Sequence, residues 1–261
     1  MKKIGIITGA SSGMGAEFAR QLAAKKLCDE LWIVARRNDR LSELKTQIEK
    51  DNQIVITPVA LDLTGAAGAQ AFNSYLKENF PSDAELKILV NNAGFGTYGP
   101  FDETPVEREM QMIDLNCTSL TGICGYALPY MKKDGIIINT ASLAAFMPLG
   151  NFAVYAATKA YVLNFSLALA AELKPRGISV TALCPGSVST EFANVASNGV
   201  RKEVKGGLSC EKTVAHCIKS ALARRHTALA FAKWRITAFL SRFVGRYLVA
   251  ELTFKYNKRP H

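Results

Sequence analysis

The segment that most constrains this chain is the N-terminal one, where an apolar run leads through a glycine-rich turn into a helical pattern. Residues 3–8 read Lys-Ile-Gly-Ile-Ile-Thr, residues 9–15 hold three glycines, and residues 16–24 have apolar positions at helical spacing. A strand, a glycine turn and a helix form the first unit of a dinucleotide-binding sheet, where a pyrophosphate lies at the helix N-terminus. Such a segment can also be only a tight turn, and the rest of the sequence is needed to distinguish a nucleotide-binding turn from a simple one.

The alternation of strand and helix continues along the chain. Further strands are predicted at residues 30–35, 54–61, 86–90, 135–142 and 178–183, and the helical patterns between them include the long segments 105–132 and 153–173. This order predicts an α/β fold with a doubly wound parallel sheet, the Rossmann fold, with helices on both faces. No repeat or linker marks a second domain, so we expect a single domain over residues 1–230 with a C-terminal extension over 231–261.

The composition indicates a folded cytoplasmic protein. Hydrophobic residues make up 49% of its 261 residues, which argues against disorder. The six cysteines form no Cys-x-x-Cys pair and the three histidines have no ligand spacing, so we expect neither disulfides nor a metal site. The chain begins Met-Lys-Lys directly before the first strand, and no uninterrupted apolar run approaches the roughly 20 residues of a spanning helix.

Tyr155 and Lys159 stand four residues apart, so a helix over 153–173 places the phenol and the ammonium on one face. A free phenol has a pKa of about 10, and a neighbouring cation favours the phenolate and lowers that pKa. Such a tyrosine can act as a general acid or base. The spacing alone is common on solvated helices. Its significance depends on the accompanying motifs, among them Ser142 at the end of a predicted strand.

Six signals follow one another along the chain: Thr8-Gly-x-x-x-Gly-x-Gly15, Asn91-Asn92-Ala93-Gly94, Asn116, Ser142, Tyr155-x-x-x-Lys159, and Pro185-Gly186 followed by Thr190. Together they resemble the short-chain dehydrogenase/reductase family, and the resemblance runs from about residue 3 to about residue 230. It implies a Rossmann-type oxidoreductase that exchanges a hydride with a nicotinamide cofactor.

The resemblance also implies a role for each motif residue. Ser142 and Tyr155 hydrogen-bond a substrate carbonyl, Tyr155 transfers the proton, and Lys159 keeps the phenol acidic and holds the nicotinamide ribose. Asn116 matches the residue that kinks a helix and holds a water next to the lysine. The residues implied to bind the cofactor are Gly9, Ser11, Ser12, Gly13, Met14, Gly15, Asp62, Leu63, Asn92, Ala93, Gly94, Tyr155, Lys159, Pro185, Gly186, Val188 and Thr190.

Cofactor choice depends on the end of the second strand. A free ribose 2′-hydroxyl is usually met there by a carboxylate, whereas a 2′-phosphate needs positive charge. This chain has Arg36 and Arg37 and no acid at that place, so we predict NADP(H), with Arg36 on the phosphate and Arg37 in support. The alternative is that both arginines only solvate a loop.

The substrate is constrained by mostly apolar segments that should border the nicotinamide, namely residues 95–98, residues 143–149 and Phe192. They suit a lipophilic ketone or secondary alcohol, such as a hydroxysteroid, a bile acid or a 3-oxoacyl compound. Residues 187–209 resemble the family's mobile lid, whose Arg201, Lys202 and Lys205 could meet a carboxylate, a phosphopantetheine or a thioester tail at the rim of the pocket. A catalytically weak NADP(H)-binding protein of the same fold, with a regulatory or membrane-associated role, is the alternative.

Two further partners are predicted. The resemblance implies a homodimer or homotetramer in which segments 114–132 and 153–173 pack against a sister subunit.

Residues 200–261 hold 14 Lys and Arg against 3 Asp and Glu, and they contain a basic amphipathic helix within 232–256. That helix could meet an anionic membrane, its own domain or a sister subunit. No nucleic-acid motif accompanies the charge, so no nucleic acid is expected.

Overall fold

A computed structural model describes residues 1–201 and 207–259, and within these ranges a parallel sheet forms the centre of the molecule. Seven strands pair in the order β3-β2-β1-β4-β5-β6-β7. Their bounds are β1 Lys2–Thr8, β2 Glu30–Ala35, β3 Val55–Ala60, β4 Ala84–Asn91, β5 Met131–Thr140, β6 Ser179–Leu183 and β7 Thr227–Ala228. All neighbouring strands run parallel, which confirms the predicted doubly wound sheet.

Ten α-helices connect and flank these strands in the described ranges. They are α1 Gly13–Ala24, α2 Asn38–Asp51, α3 Gly65–Asn79, α4 Val106–Ile113, α5 Leu120–Ala127, α6 Ala153–Leu173, α7 Phe192–Ala196, α8 Cys210–Leu222, α9 Ala232–Leu240 and α10 Arg246–Tyr256. The prediction for 153–173 matches α6, whereas β7 and α8 were not predicted from the sequence.

Each face of the sheet carries its own hydrophobic core, because successive side chains of a strand point to opposite faces. Ile6 packs in one core with Phe72 of α3. Its neighbour Ile7 packs in the other core with Phe18 of α1. Both faces are therefore buried, as a parallel sheet requires.

Strand order reverses between β1 and β4, which are direct neighbours in the sheet although β2 and β3 lie between them in sequence. In such sheets the crevice at the carboxyl ends of the strands, next to this reversal, is where ligands bind. The segments that follow β1, β4, β5 and β6 all open at this edge, and they carry the motifs named above.

Two predicted elements differ in detail from the structure. The strand predicted to close at Ser142 ends at Thr140, so Ser142 begins the following short 3-10 turn. The long helix predicted over 105–132 is not uniform, because residues Asp114–Ser119 between α4 and α5 form a π-helical segment. Periodicity over a long window predicts the helical path and does not resolve a one-turn change in hydrogen bonding.

The basic helix predicted within 232–256 is wrong as a single element. Residues 241–245 separate α9 from α10, with Gly245 immediately before α10. Both helices contact the chain's own domain. A Cβ on Gly186 would lie 2.5 Å from the Trp234 ring of α9, and the Gly150 amide donates to Thr253 Oγ1 of α10 at 2.9 Å. The interruption lets the extension reach two separate points of the domain.

Among the described residues, one helical stretch, Ala153–Arg176, is long and apolar enough to cross a membrane by length and composition. It comprises α6 and the turn after it, and half of its most apolar window is buried inside the domain. Burial of this kind is typical of the central helix of a folded domain.

Candidate active site

The glycine-rich turn joins β1 to α1 and lies directly against the end of β4. Gly9 has φ +66°, and a Cβ there would approach Ala93 Cα to 2.8 Å, so a larger residue would be both strained and crowded. Thr8 Oγ1 accepts hydrogen bonds from the amides of Asn92 at 3.0 Å and Ala93 at 3.1 Å. The structure thus brings the first two sequence motifs together.

Of the two arginines after β2, Arg37 is the one that contacts the glycine-rich turn before α1. Its guanidinium donates to Ser11 Oγ at 2.9 Å and to Ser12 Oγ at 3.0 Å. It also pairs with Glu191 at 3.3 Å. Arg36 is exposed at the end of β2 and helps to hold the pKa of the Asp62 carboxyl below its usual value. Hydroxyl and guanidinium donors at a helix N-terminus are the chemistry that phosphate groups require.

Asp62 and Leu63, two of the residues implied to bind the cofactor, lie in the segment after β3. Asp62 Oδ1 accepts from both the amide of Thr64 at 3.0 Å and its hydroxyl at 2.7 Å, and the Thr64 bonds are the main cause of the lowered Asp62 pKa. Leu63 is buried, and its carbonyl accepts a bond from the Ser119 hydroxyl. These bonds fix the segment against the π-helical turn.

Tyr155 and Lys159 lie on the first two turns of α6, and both are buried. Lys159 Nζ donates to the Thr140 carbonyl at 2.8 Å and stands 5.6 Å from the centre of the Tyr155 ring. Ser142 Oγ accepts from the Ala144 amide at 3.1 Å and donates to the Pro185 carbonyl at 3.5 Å, and its hydroxyl lies close enough to the Tyr155 phenol to lower the phenol's pKa. The structure therefore brings the three predicted residues into one cluster.

Burial dominates the ionisation of this cluster. It raises the pKa of Tyr155 to about 12, against a smaller lowering by the nearby Ser142 hydroxyl. Burial also lowers the pKa of Lys159 to about 8. The expectation that the lysine brings the phenol pKa down is therefore wrong for this arrangement, because desolvation of the phenolate costs more than its neighbours return. A protonated Tyr155 is a proton donor at neutral pH.

Asn116 lies in the π-helical segment, at the place where a kink was expected. Its amide side chain bonds both to the Phe95 backbone, as acceptor at 3.1 Å and donor at 2.9 Å, and to Thr158 Oγ1 at 3.1 Å. A Cβ on Gly94 would lie 2.6 Å from Asn116 Oδ1 and 3.5 Å from Lys159 Nζ. The loop after β4, the π-helical turn and α6 thus converge on the lysine.

The segment after β6 closes the site from the other side. The Pro185 carbonyl accepts from the Leu143 amide at 2.8 Å, which links it to the Ser142 turn. Thr190 lies against Gly13 of the glycine-rich turn, and Val188 forms a bridge with Leu208. The predicted lid over 187–209 contains the short helix α7, whereas Lys202, Lys205 and Gly206 lie outside the described residues.

An aromatic wall surrounds the phenol. Phe152 stacks on Tyr155 with ring centroids 4.1 Å apart, and Phe192 lies 5.4 Å away on another side. Tyr98 contacts Phe152 at 4.8 Å. Phe95, Leu149 and Ala196 join the same apolar cluster. The segments expected to border the substrate are therefore assembled around the proposed proton donor.

Three residues of this site were missed by the sequence analysis, namely Phe152, Trp234 and Arg259. Phe152 had a usable signal, because it stands three residues before Tyr155 at the start of the same helix. Trp234 covers Gly186, and its buried indole N–H has no hydrogen-bond partner among the described residues. The Arg259 guanidinium lies 4.4 Å from the Phe152 ring. Trp234 and Arg259 belong to the C-terminal extension, whose sequence has no local pattern that indicates the site.

Comparison with known proteins decides the family. The family described as short chain dehydrogenase matches residues 3–200. The chain belongs to the short-chain dehydrogenase/reductase family. Its members are oxidoreductases, and a serine 3-dehydrogenase of Rhizobium radiobacter is 34% identical to this chain over 200 residues, covering 74% of the chain and 75% of that relative.

Two solved structures, of a short-chain dehydrogenase and of an alcohol dehydrogenase, each resemble 93% of this chain. A short-chain dehydrogenase from Sphingobium yanoikuyae in complex with NADPH is 28% identical, with a TM-score of 0.79 over 93% of this chain and 94% of that one. The bulky-bulky ketone specific alcohol dehydrogenase from Comamonas testosteroni is 25% identical, with a TM-score of 0.75 over 93% and 92%. Both structural matches cover more of this dehydrogenase than the family match, which ends at residue 200.

Proposed function

We propose that this short-chain dehydrogenase is an NADP(H)-dependent oxidoreductase that interconverts a lipophilic ketone and its secondary alcohol. The observation that carries the proposal is the buried Tyr155 phenol, which lies beside the Ser142 hydroxyl inside an aromatic wall. The structural relatives that hold NADPH or act on bulky ketones support this choice of cofactor and substrate.

The residues present fit a dinucleotide. Ser11, Ser12 and Arg37 offer donors to phosphate groups beside the N-terminus of α1, and Arg36 is the exposed cation we assign to a 2′-phosphate. We assign Lys159 to a ribose of the cofactor and Thr190 to its carboxamide. When bound, the reduced cofactor supplies the hydride that the carbonyl carbon accepts.

The chain itself supplies the proton and the polarisation. Ser142 and Tyr155 donate hydrogen bonds to the carbonyl oxygen, and the phenol passes its proton to that oxygen as negative charge develops there. The raised pKa keeps the phenol protonated at neutral pH, which is the form that reduction requires. The aromatic wall around Tyr155 excludes water and accepts an apolar substrate such as a steroid, a bile acid or a 3-oxoacyl compound.

The alternative, a regulatory protein with little activity, is disfavoured because all four catalytic positions are filled and assembled. The test is NADPH oxidation with steroidal, bile-acid, acyl-thioester and aryl ketones. Tyr155→Phe should lower turnover by about 10² or more, the scale of general acid catalysis, with NADPH affinity nearly unchanged. Near wild-type turnover of this variant on every accepted ketone would contradict the role of Tyr155.

A further inference from the structure

Trp234 of α9 lies beside the proposed substrate site. A Cβ on Gly186 would lie 2.5 Å from Cε2 and 2.9 Å from Nε1 of its indole, so the nitrogen side of the ring lies directly on the backbone after β6. Helix α9 also lies against the turn Leu143–Phe146, which follows Ser142. The carbonyl of Pro185, the neighbour of Gly186, accepts from Ser142 Oγ at 3.5 Å. The indole therefore covers the place where the Ser142 turn meets the segment after β6.

The indole nitrogen of Trp234 is buried, and its N–H has no hydrogen-bond partner among the residues that the structure describes. Buried donors in folded proteins nearly always have a partner, because an unpaired one has lost its bonds to water without replacement. The second of the two tryptophans shows the ordinary arrangement, since Trp32 Nε1 donates to Glu30 Oε1 at 2.7 Å. The Trp234 N–H is thus a donor that the fold itself does not use.

The surroundings of this donor define the acceptor that would pair with it. An indole N–H donates only, so its partner must carry a lone pair. The ammonium of Lys233 already lies 4.4 Å from the centre of the Trp234 ring, and the N–H is neutral, so a neutral oxygen suffices as partner. Ser142, which is joined to this place through Pro185, is assigned to the carbonyl that is reduced. The acceptor for Trp234 is therefore a second oxygen, close to that carbonyl.

We propose that Trp234 is a specificity-determining residue whose indole N–H donates a hydrogen bond to a second oxygen of the substrate, next to the reacting carbonyl. The substrate class is then a ketone with a neighbouring neutral oxygen acceptor, as in a 3-oxoacyl ester or thioester. An isolated ketone leaves the buried donor unpaired, and sites that bond a substrate oxygen discriminate against analogues without it for this reason. This inference rests on the proposed oxidoreductase function and narrows its substrate.

The kinetic test compares ethyl 3-oxohexanoate with 4-nonanone. Both have a ketone at the same place in a chain of nine atoms, and only the ester carries the second carbonyl. Trp234→Phe removes the N–H and keeps an aromatic ring on Gly186. Lys233→Ala is the matched control, because it removes the neighbouring ammonium and keeps the N–H. The readout is kcat/KM for NADPH-dependent reduction of each compound by each protein.

We expect Trp234→Phe to lower kcat/KM for the ester by roughly 2- to 12-fold, the scale of a neutral hydrogen bond, and to leave 4-nonanone within about twofold. The ester group also makes its ketone more reactive, so the change from wild type to variant is compared for each compound separately. Lys233→Ala should change neither compound. An equal fall for both compounds in Trp234→Phe, or an unchanged ester, would overturn the proposal.

Nuclear magnetic resonance tests the hydrogen bond without turnover. With two tryptophans in the chain, a ¹⁵N-labelled protein gives two indole signals. The signal of Trp234 is the one that Trp234→Phe loses and Trp32→Phe retains, and the bonded indole of Trp32 is the internal reference. In wild-type protein saturated with NADP⁺, ethyl 3-oxohexanoate should move the Trp234 indole proton downfield, and 4-nonanone should not.

This measurement also separates the inference from the proposed function. A downfield shift with the ester in a protein that reduces no ketone supports the role of Trp234 and rejects only the proposed function. Ketone reduction without any shift has the opposite meaning. A downfield shift with NADP⁺ alone would assign the donor to the cofactor, and equal shifts with the ester and 4-nonanone would show no recognition of the second oxygen. Either result overturns the proposal.

Discussion

At the scale of single residues, Tyr155 and Lys159 are both buried, and folding alters the ionisation of each. Burial keeps the phenol protonated and pushes the ammonium toward its neutral form, and both effects oppose the charged states. Lys159 nevertheless donates to the Thr140 carbonyl at 2.8 Å. A buried ammonium in this position lowers the stability of the folded protein. Functional sites often retain residues that destabilise the fold.

Lys159→Met tests this cost. We expect the variant to lose reductase activity and yet to gain roughly 1–3 kcal/mol in free energy of unfolding at pH 7, because an uncharged chain replaces the ammonium. Between about pH 8 and 10.5 the unfolded wild type binds the proton that the folded protein has released, so wild-type stability rises with pH there. Denaturant titrations should therefore show that Lys159→Met exceeds wild type in free energy of unfolding most strongly below pH 8, and that the difference shrinks toward pH 10.5. A variant less stable than wild type at pH 7 would contradict the assigned cost.

Cofactor preference is also decided by individual side chains. Arg37 already bonds Ser11, Ser12 and Glu191, whereas Arg36 is exposed beside Asp62. Arg36→Ser should weaken NADPH binding by roughly 10- to 150-fold and leave NADH nearly unchanged, because the lost group meets only the 2′-phosphate.

Fluorescence titration with both cofactors measures this difference, and Arg40→Ser is the matched control. Arg40 lies at the start of α2 and is partly exposed, and its guanidinium pairs with Glu191 at 2.6 Å. We expect the control to keep the NADPH preference. Equal affinity of the wild type for NADH and NADPH would show that the arginines do not select the cofactor.

At the scale of elements, the extension combines contacts to its own domain with an exposed apolar row. Trp234 and Thr253 bind the domain, but Phe243 is 73% exposed and Tyr247 is 81% exposed. The apolar row consists of seven exposed residues: Ile236, Phe239, Leu240, Phe243, Val244, Tyr247 and Leu248. An apolar row of this length on a basic segment is typical of an interaction surface, and we propose an anionic membrane as its partner.

Phe243→Ser combined with Tyr247→Ser tests the membrane contact without removing Trp234 or Arg259. Wild-type protein should sediment with anionic liposomes more than with neutral ones and should be released as salt rises, because screening weakens the attraction of the basic residues. The double variant should lose most of this binding and keep NADPH affinity. If the wild type ignores liposomes of either charge, the row serves another contact.

At the scale of the whole molecule, α6 presents a second exposed apolar surface, which could serve assembly. Leu167 is 40% exposed and Tyr161 is 43% exposed, while the opposite side of α6 is buried against the sheet. Tyr161 also bonds Thr121 of α5 at 2.8 Å, which joins the two helices into one surface. We propose that a sister subunit packs on this surface and forms a dimer or a tetramer.

Leu167→Arg should disrupt that assembly, because it places a charge in the centre of the proposed interface. Light scattering at micromolar concentration should show an oligomer for the wild type and a smaller species for the variant. Glu172→Arg, an exposed change near the end of the same helix, is the control for charge alone. A monomeric wild type would reject the oligomer.

The sequence by itself determined the order of strands and helices, the family and the clustering of Ser142, Tyr155, Lys159 and Asn116. These features are encoded in consecutive residues: periodicity defines the elements, and parallel strands bring the motifs that follow them to one edge of the sheet. The π-helical turn at Asn116 was anticipated as a kink through the family resemblance.

Only the tertiary structure decided the balance of charge in the site and the destination of the extension. Whether Lys159 lowers the pKa of Tyr155 depends on how deeply both are buried, and burial is a property of the packed domain. Arg259 and Phe152 are far apart in the chain and share no local pattern. Their contact exists because the interruption between α9 and α10 lets the extension bind the domain at two places and end at the aromatic wall.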